Sequence, residues 1–324
     1  MARHLVTGAC GLIGFALTRE LAARGAHVVA LDLGAKYGLG ELDVLAREHA
    51  GRIEPLQADL ADSSCLAHPS LRGPFDAVHH LAAVLGVAHV SAHPWECARV
   101  NMLSTVNATE LALRARARVL VFASSSECYA AGVDAGRLPI PTPEDVELSI
   151  SDIEAPRWSY AASKIAGEAA VFGAARENPS LRPVVVRFHN VYGPRMPRTH
   201  VVPELFARCA AKEDPFVVYG AEQTRSFLYV DDAARALALV GDPDAAHRGV
   251  FNVGSGTETS IEALLEACFE TSGYRPRVIE RRPAPPGSVA RRVPDVTKLA
   301  RLGFQARIEL GDGLRRCWRE RSGR

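Results

Sequence analysis

Charge of one sign is what this chain most lacks. Its 38 Lys plus Arg face 37 Asp plus Glu, a formal net charge of +1 at pH 7 with neutral His. No strong field therefore favours nucleic acid or an anionic membrane, and neither is expected as a partner. The basic clusters Arg281, Arg282, Arg291 and Arg292, and Arg315, Arg316 and Arg319, read first as solvated side chains. Cysteine is sparse: seven residues, an odd number, with no CxxC pair. That argues against a disulfide framework or a zinc knuckle and fits reduced thiols that fill core space. The eleven histidines are scattered, and His79-His80 falls in a strand pattern rather than at ligand spacing, so no metal site is expected. No apolar run approaches the ~20 residues that span a bilayer. The opening Met1–Gly11 runs directly into a strand pattern without the build of a signal peptide, so a cytoplasmic location is expected. Repeats and low-complexity tracts are missing too.

What is present is an alternation. Short Val/Ile/Leu runs at His4–Thr7, His27–Leu31, Ile53–Gln57, Asp76–Leu81, Val119–Ala123 and Pro183–Phe188 read as buried strands. Leu12–Arg24, Pro94–Ala115 and Ser159–Arg176 carry helix periodicity between them. This is the rhythm of an α/β fold, a Rossmann-type doubly wound parallel sheet with crossover helices. A Gly- and Pro-rich loop over Ala130–Pro156 interrupts it. Beyond Asn190 the pattern loosens into a helix near Pro203–Ala211, strands at Phe216–Tyr219 and Phe251–Val253, and helices at Ile261–Cys268 and Gly311–Trp318. Two domains follow as an expectation. Residues 1–189, with a return segment at about 222–250, form the sheet domain; residues 190–221 and 251–324 form a smaller C-terminal substrate-binding lobe.

Thr7-Gly8-Ala9-Cys10-Gly11-Leu12-Ile13-Gly14 follows the first strand and opens the first helix. Glycines at 8, 11 and 14 permit a tight turn, close approach of a pyrophosphate and close helix–strand packing. Asp32 ends the second strand 18 residues after Gly14. A carboxylate there accepts hydrogen bonds from an adenosine 2′-hydroxyl and repels a 2′-phosphate, so NAD is expected over NADP. Asp59, with Leu60 beside it, closes the third strand where it could reach the adenine edge.

The second signal is Tyr160-Ala161-Ala162-Ser163-Lys164, with phenol and ammonium on one helical face. The chain has only four lysines, Lys36, Lys164, Lys212 and Lys298, and seven tyrosines, so chance Tyr-x-x-x-Lys matches number about 0.09. A cation ~4 Å from the phenol, at an effective dielectric near 20, would lower its pKa by about three units. Tyr160 would then exchange a proton with a substrate hydroxyl while hydride passes to NAD. Ser124-Ser125-Ser126-Glu127-Cys128-Tyr129 closes the fifth strand at the same edge of the sheet; a serine here can bond both the substrate hydroxyl and the phenol, although serines after strands are also common turn formers.

Together these segments resemble the extended short-chain dehydrogenase/reductase family, in its NAD-dependent epimerase/dehydratase branch, over nearly the whole chain. Further matching stretches are His80-Leu81-Ala82-Ala83, Val100-Asn101, Arg187-Phe188-His189-Asn190-Val191-Tyr192-Gly193-Pro194-Arg195, Thr224-Arg225-Ser226-Phe227, Phe251-Asn252-Val253-Gly254-Ser255-Gly256 and Arg291-Arg292-Val293-Pro294-Asp295. The resemblance implies an NAD-dependent enzyme acting on a nucleotide-diphosphate sugar, most often UDP-linked. It implies that Tyr160 is the acid/base, that Ser125 is the family's Ser/Thr, and that Lys164 holds the nicotinamide ribose. It puts Leu81, Ala82, Ala83 and Asn101 beside the cofactor with Gly8, Gly11, Leu12, Ile13, Gly14, Asp32, Asp59 and Leu60. On the substrate side it implies Ser125 and Ser126, Asn190, Arg225 and Arg292 on the diphosphate, His200 and Val201 in a substrate loop, and Val217 and Tyr219 around the base. Family members of this type pair through two helices each, here Pro94–Ala115 and Ser159–Arg176, so a homodimer is expected. The chain departs from the pattern at Cys128-Tyr129-Ala130, where the family has Val-Tyr-Gly. No lysine follows Leu81-Ala82-Ala83, where UDP-galactose 4-epimerases carry one.

Oxidising C4 of such a sugar opens three routes: epimerisation, loss of water after a base takes the C5 proton, or loss of carbon dioxide from a C6 carboxylate. Glu127 bears on the choice, since the dehydratases resembled here read Thr-Asp-Glu and the decarboxylases tend to Thr-Ser-Glu; a loop carboxylate capping a backbone amide is its other reading. Against the decarboxylases, Ile165 follows Lys164 where their helix carries arginine. C4 epimerisation is the leading expectation, with UDP-glucuronate-type decarboxylation and 4,6-dehydration as alternatives. A catalytically silent NAD-binding protein and an alcohol dehydrogenase that releases NADH are the readings from other classes.

Overall fold

The computed structural model describes residues 1–284 and 289–322. Residues 285–288 and 323–324 of the expected C-terminal lobe lie outside the described residues.

Strands β1 (Arg3–Thr7), β2 (His27–Asp32), β3 (Ile53–Gln57), β4 (Ala77–His80), β5 (Val119–Ser125) and β6 (Arg182–Phe188) run parallel in one sheet. The strand order is β3-β2-β1-β4-β5-β6, with a seventh strand, Gly249–Val253, outside β6. Helices α1 (Leu12–Ala23), α2 (Gly40–Glu48), α3 (Val87–Ala92), α4 (Pro94–Arg114), α5 (Ala130–Asp134) and α6 (Trp158–Glu177) fill the intervals. The central strands need no polar/apolar alternation, because both faces of a parallel sheet are covered by crossover helices. Val28, Val29 and Ala30 of β2 are accordingly fully buried in succession, and so are Val119 to Phe122 of β5. Leu5, Val29, Val78, Leu120, Phe122 and Val185 meet in one core with Ala108, Leu111 and Ala112 of α4. Strand order reverses between β1 and β4, which makes their carboxyl ends the switch point of the sheet, where ligands of such folds bind.

The remaining elements are shorter. They are β7 (Val191–Tyr192), α7 (Val201–Ala210), β8 (Phe216–Tyr219), β9 (Thr224–Arg225), β10 (Leu228–Tyr229), α8 (Val230–Val240) and β11, the seventh sheet strand, followed by β12 (Thr259–Ser260), α9 (Ile261–Ser272), β13 (Ile279–Arg282), β14 (Arg291–Arg292), α10 (Thr297–Ala300) and α11 (Leu310–Ser322). The strands of this part form small sheets, β10-β7, β12-β9-β14 and β13-β8.

The chain divides into two units: Met1–Cys128, Ile150–Phe188 and Ala233–Phe251 in the first, and Tyr129–Ser149, His189–Asp232 and Asn252–Arg324 in the second. Two boundaries differ from the sequence expectation. Tyr129–Ser149 leaves the sheet unit because its backbone is claimed elsewhere: Thr142 N–H donates to the Val293 carbonyl at 2.9 Å, and the Thr142 carbonyl accepts from Asn252 Nδ2 at 2.9 Å. The return segment begins at Ala233 rather than 222, since β9 is the middle strand of a small sheet of the second unit. Helices α2, α3, α5, α8 and α10 were not anticipated; all but α8 are short, at 9, 6, 5 and 4 residues, and α8 begins inside a stretch read as a motif.

Candidate active site

In the sheet unit, the glycine turn is built as its spacing predicts. Gly8 has φ +71°, and a Cβ there would sit 2.8 Å from the Ala82 amide nitrogen. A Cβ on Gly14 would overlap the Gly8 carbonyl oxygen. The turn is therefore pressed against the segment after β4, and its backbone is bare where a pyrophosphate would approach. Gly11 caps α1, and Leu12 and Ile13 open it, half-buried. Asp32 is half-buried at the end of β2; Oδ2 accepts from the Cys10 amide at 2.9 Å and Oδ1 from the Gly34 amide at 2.8 Å. These bonds orient its carboxylate beside the glycine turn. The Leu81 and Ala82 amides both donate to Thr7 Oγ1 at 3.2 Å, and Thr7 meets His80 Nδ1 at 2.9 Å. Leu81, Ala82 and Ala83 are thus held as a half-buried rim next to the turn. A bare turn and a ribose-type carboxylate beside it fit a dinucleotide.

Three of the expected cofactor residues also have partners within the chain. Asn101 is 2 % exposed; its Oδ1 accepts from the Val84 amide at 2.7 Å, and its Nδ2 donates to Ser163 Oγ at 3.2 Å. It ties the loop after β4 to α6, so its side chain positions the site instead of facing a ligand. Leu60 is packed in the core, with its carbonyl bonded by Asn107 Nδ2 at 2.8 Å. Asp59 is exposed and closes a turn through the Ala61 amide at 2.8 Å.

At the end of β5 the expected proton-transfer group comes together. The Ser125 hydroxyl lies close enough to the Tyr160 phenol to act on its pKa. Lys164 lies one turn along α6, its ammonium 5.7 Å from the Tyr160 ring centroid and bonded at 2.8 Å to the Ala123 carbonyl. Burial pushes the Tyr160 pKa well up, and the nearby Ser125 hydroxyl opposes that shift. The lowering anticipated from sequence is not met in the chain alone, because burial of the phenol outweighs it. Lys164 is itself buried, which holds its pKa down to about 8. Its ammonium also lies 5.0 Å from the Phe122 ring centroid, and His80 stacks on Phe122 at 5.9 Å. Burial first, and the Lys164 charge second, keep His80 neutral, with a pKa of about 3.

Ser126, expected on the substrate side, is 3 % exposed. Glu127 remains half-buried; its amide donates to Ser125 Oγ at 3.2 Å, and its carboxylate pairs with Arg157 at 4.0 Å. The altered Cys128-Tyr129-Ala130 run forms a helical turn that continues into α5.

One group was missed. Glu168, at i+8 from Tyr160, is buried and takes two bonds from Arg187 of β6, at 2.8 and 2.6 Å, and one from Ser124 at 2.5 Å. Its place on the face that carries Tyr160 and Lys164 was the available signal. Breaking so buried a pair costs about 3–5 kcal/mol, which makes it a fixed brace between α6, β5 and β6.

The second unit holds the expected substrate residues. Arg292 and Arg225 are register partners in the parallel pair β14·β9. Like charges side by side repel, and a dianion between them would remove the repulsion. Arg291, pointing the other way along the strand, is taken by Glu258 at 2.8 Å. Asn190 has φ +40°, and its buried Nδ2 has no hydrogen-bond partner. Val217 and Tyr219 alternate with the buried Phe216 and Val218 on β8, so they share the accessible face; Tyr219 is 52 % exposed. His200 precedes α7 and Val201 begins it, both half-buried. Among the described residues there is no His/Cys/Asp/Glu group able to hold a metal, and no helix is long and apolar enough to cross a membrane.

Comparison with known proteins points the same way. Residues 4–254 match the model of the NAD dependent epimerase/dehydratase family. The chain is 32% identical to UDP-N-acetyl-alpha-D-glucosaminuronate decarboxylase of Bacillus cytotoxicus, over 97% of this chain and 95% of that protein. It is also 32% identical to UDP-glucose 4-epimerase of Mycolicibacterium smegmatis, over 96% of each. The crystal structure of Thermus thermophilus UDP-glucose 4-epimerase in complex with NAD superposes with a TM-score of 0.80 at 27% identity, covering 99% of both chains.

Proposed function

The chain belongs to the NAD-dependent epimerase/dehydratase family, and we propose that it is a C4 epimerase of a UDP-linked sugar, working through a transient 4-keto sugar. NAD is its cofactor. The observation that carries this reading is the approach of the Ser125 hydroxyl to the Tyr160 phenol at the end of β5, with Lys164 one turn along the same helix.

Bound NAD supplies a hydride acceptor and a positively charged ring. Ser125 and Tyr160 hold the C4 hydroxyl between them. Tyr160 takes its proton during oxidation and returns it after the keto sugar has presented its other face. Lys164 and the nicotinamide charge draw down a phenol that burial alone raises. Lys164 also orients the nicotinamide ribose, and Asp32 selects the unphosphorylated adenosine ribose. Arg225, Arg292 and Asn190 hold the diphosphate; Val217 and Tyr219 hold the base; His200 and Val201 line the substrate loop. The name of the Mycolicibacterium relative supports epimerisation.

A second reading is decarboxylation of a hexuronate, or dehydration, through Glu127. The half-buried Glu127–Arg157 pair and the name of the Bacillus relative favour it. Incubation with UDP-glucose, UDP-glucuronate and UDP-N-acetylglucosamine, with products read by NMR, separates the routes. Epimerisation yields the C4 epimer without net absorbance change at 340 nm; a pentose or a 4-keto-6-deoxy product would replace this reading.

A homodimer is part of the same proposal. Trp95, Met102, Leu103 and Val106 of α4 are exposed, and so are Ala166, Ala169 and Ala170 of α6, which gives the two adjacent helices an apolar outer face. A single-chain mass by light scattering at micromolar concentration would remove the dimer.

A further inference from the structure

Epimerisation has no use for the two opposite charges beside the Ser125–Tyr160 pair. Glu127 is rooted two residues after Ser125, and its amide is bonded to that hydroxyl. Arg157 stands one helical turn before Tyr160, its guanidinium carbon 4.6 Å from the Trp158 ring centroid. The Trp158 side chain is buried, so the stacked guanidinium has a fixed platform. Each partner of the ion pair keeps 29% of its side chain exposed, and the closest N···O distance is 4.0 Å. That is longer than the ~2.7–2.9 Å of a charge-assisted hydrogen bond, so the pair is loose.

The sugar chemistry then assigns a position. With the C4 hydroxyl between Ser125 and Tyr160, the adjoining C5 carries its substituent one bond away, within reach of residues bordering that pair. A neutral hydroxymethyl group would leave the two charges as they are. A carboxylate on C5 would be repelled by Glu127 and would match the planar fork of Arg157 with two parallel N–H···O bonds.

We propose that Arg157 sorts nucleotide sugars by the charge on the C5 substituent, releasing Glu127 to take the carboxylate of a hexuronate. The proposal rests on the nucleotide-sugar reading above and deepens it: Arg157 is a specificity-determining residue whichever way the ketone is consumed. Glu127 is its counterion in the absence of uronate and the repelling charge in its presence.

The test measures dissociation constants of UDP-glucose and UDP-glucuronate by calorimetry on the NAD-loaded protein, for the parent chain and for Arg157→Gln, Arg157→Lys and Glu127→Gln. Arg157→Gln weakens UDP-glucuronate about tenfold or more relative to UDP-glucose. Arg157→Lys keeps the charge without the fork and retains part of the discrimination. Glu127→Gln shifts the ratio the opposite way, in favour of the uronate. Equal weakening of both ligands in Arg157→Gln, or no change in either, would mean that Arg157 merely packs on Trp158, and would overturn the proposal. So would a parent chain that binds UDP-glucose and rejects UDP-glucuronate. A parent chain that binds neither sugar nucleotide while retaining NAD brings down the nucleotide-sugar reading itself, a distinct result.

Discussion

The two units hold their functional residues by different means. In the sheet unit, Ser125 and Asp32 end strands of seven and six residues, each locked on both sides by parallel ladders. In the second unit, Arg225 and Arg292 stand on strands of two residues, and Val217 and Tyr219 on one of four. Short strands leave little ladder to fix a side chain, so local bonds replace it: Arg225 donates to the Thr224 carbonyl at 2.8 Å, and Glu258 clamps Arg291 beside Arg292. The lesson is one of tolerance. On the proposed roles, proton transfer, which demands placement within fractions of an ångström, would sit on the rigid frame, and diphosphate and base recognition, which tolerates adjustment, on the lighter one.

The sharpest test of that contrast is Tyr160→Phe. It removes the proton-exchanging oxygen and nothing that the glycine turn needs. Turnover should fall by roughly a thousandfold or more while NAD remains bound, read by NMR of product and by cofactor retained after desalting. Residual activity within tenfold of the parent would remove the role given to the phenol. In the second unit, Arg225→Ala and Arg292→Ala should each raise KM for the sugar nucleotide by about ten- to a hundredfold, with a much smaller change in kcat. Because the two are register partners, the double variant should lose less than the product of the single losses. Fully multiplicative losses would mean that they do not share one ligand.

How much of this was legible beforehand follows the same division. The strands, the glycine turn and the Tyr160–Lys164 face could be read because strand period, helix period and turn chemistry are local properties of sequence. Expected and observed boundaries differ by only one or two residues at the strands of the main sheet. What sequence could not give was the direction of individual polar side chains. Asn101 stands in the right segment yet points into the protein, because its partners Val84 and Ser163 come from other parts of the chain. Glu168 was overlooked because a glutamate midway along a helix looks like solvent-facing charge until Arg187 of β6 and Ser124 of β5 pair with it. Tyr129–Ser149 groups with the second unit, a pairing that a Gly/Pro-rich loop without periodicity does not announce.

The sheet unit also carries a liability in acid. His4 Nδ1 and His79 Nε2 meet at 3.1 Å in the core, and His80 lies buried beside them in sequence. Burial holds His4 down to about 4, although the Asp76 and Asp242 charges oppose the shift, and it holds His79 well below its ordinary value. The unfolded chain therefore takes up protons near pH 6.5 that the folded chain refuses. Stability is full above that pH and is lost as pH falls through 6.5 towards 4. His4 alone contributes about 3 kcal/mol to the loss. Thermal unfolding followed between pH 7.5 and 4.5 should show the midpoint dropping, and His4→Gln should flatten the slope. A midpoint independent of pH would mean that the histidine pair is wet or already charged.

The smallest expected effect probes how the lighter unit keeps its shape. Ser260 caps α9, its Oγ accepting from the Ala263 amide at 3.0 Å, and α9 ends at Gly273 with φ +70°. Removing the hydroxyl in Ser260→Ala leaves one amide at the helix start unbonded and should cost about 1 kcal/mol. Ser260 also pairs across β12·β9 with Thr224, the neighbour of Arg225. If short strands hold their register through such caps, the loss should appear twice: as a lower midpoint of unfolding in denaturant, and as a two- to threefold higher KM at unchanged kcat. A lower midpoint with KM unmoved would mean that the Arg225–Arg292 pair is set by its own three-stranded sheet. The second unit would then be stiffer than its two-residue strands suggest.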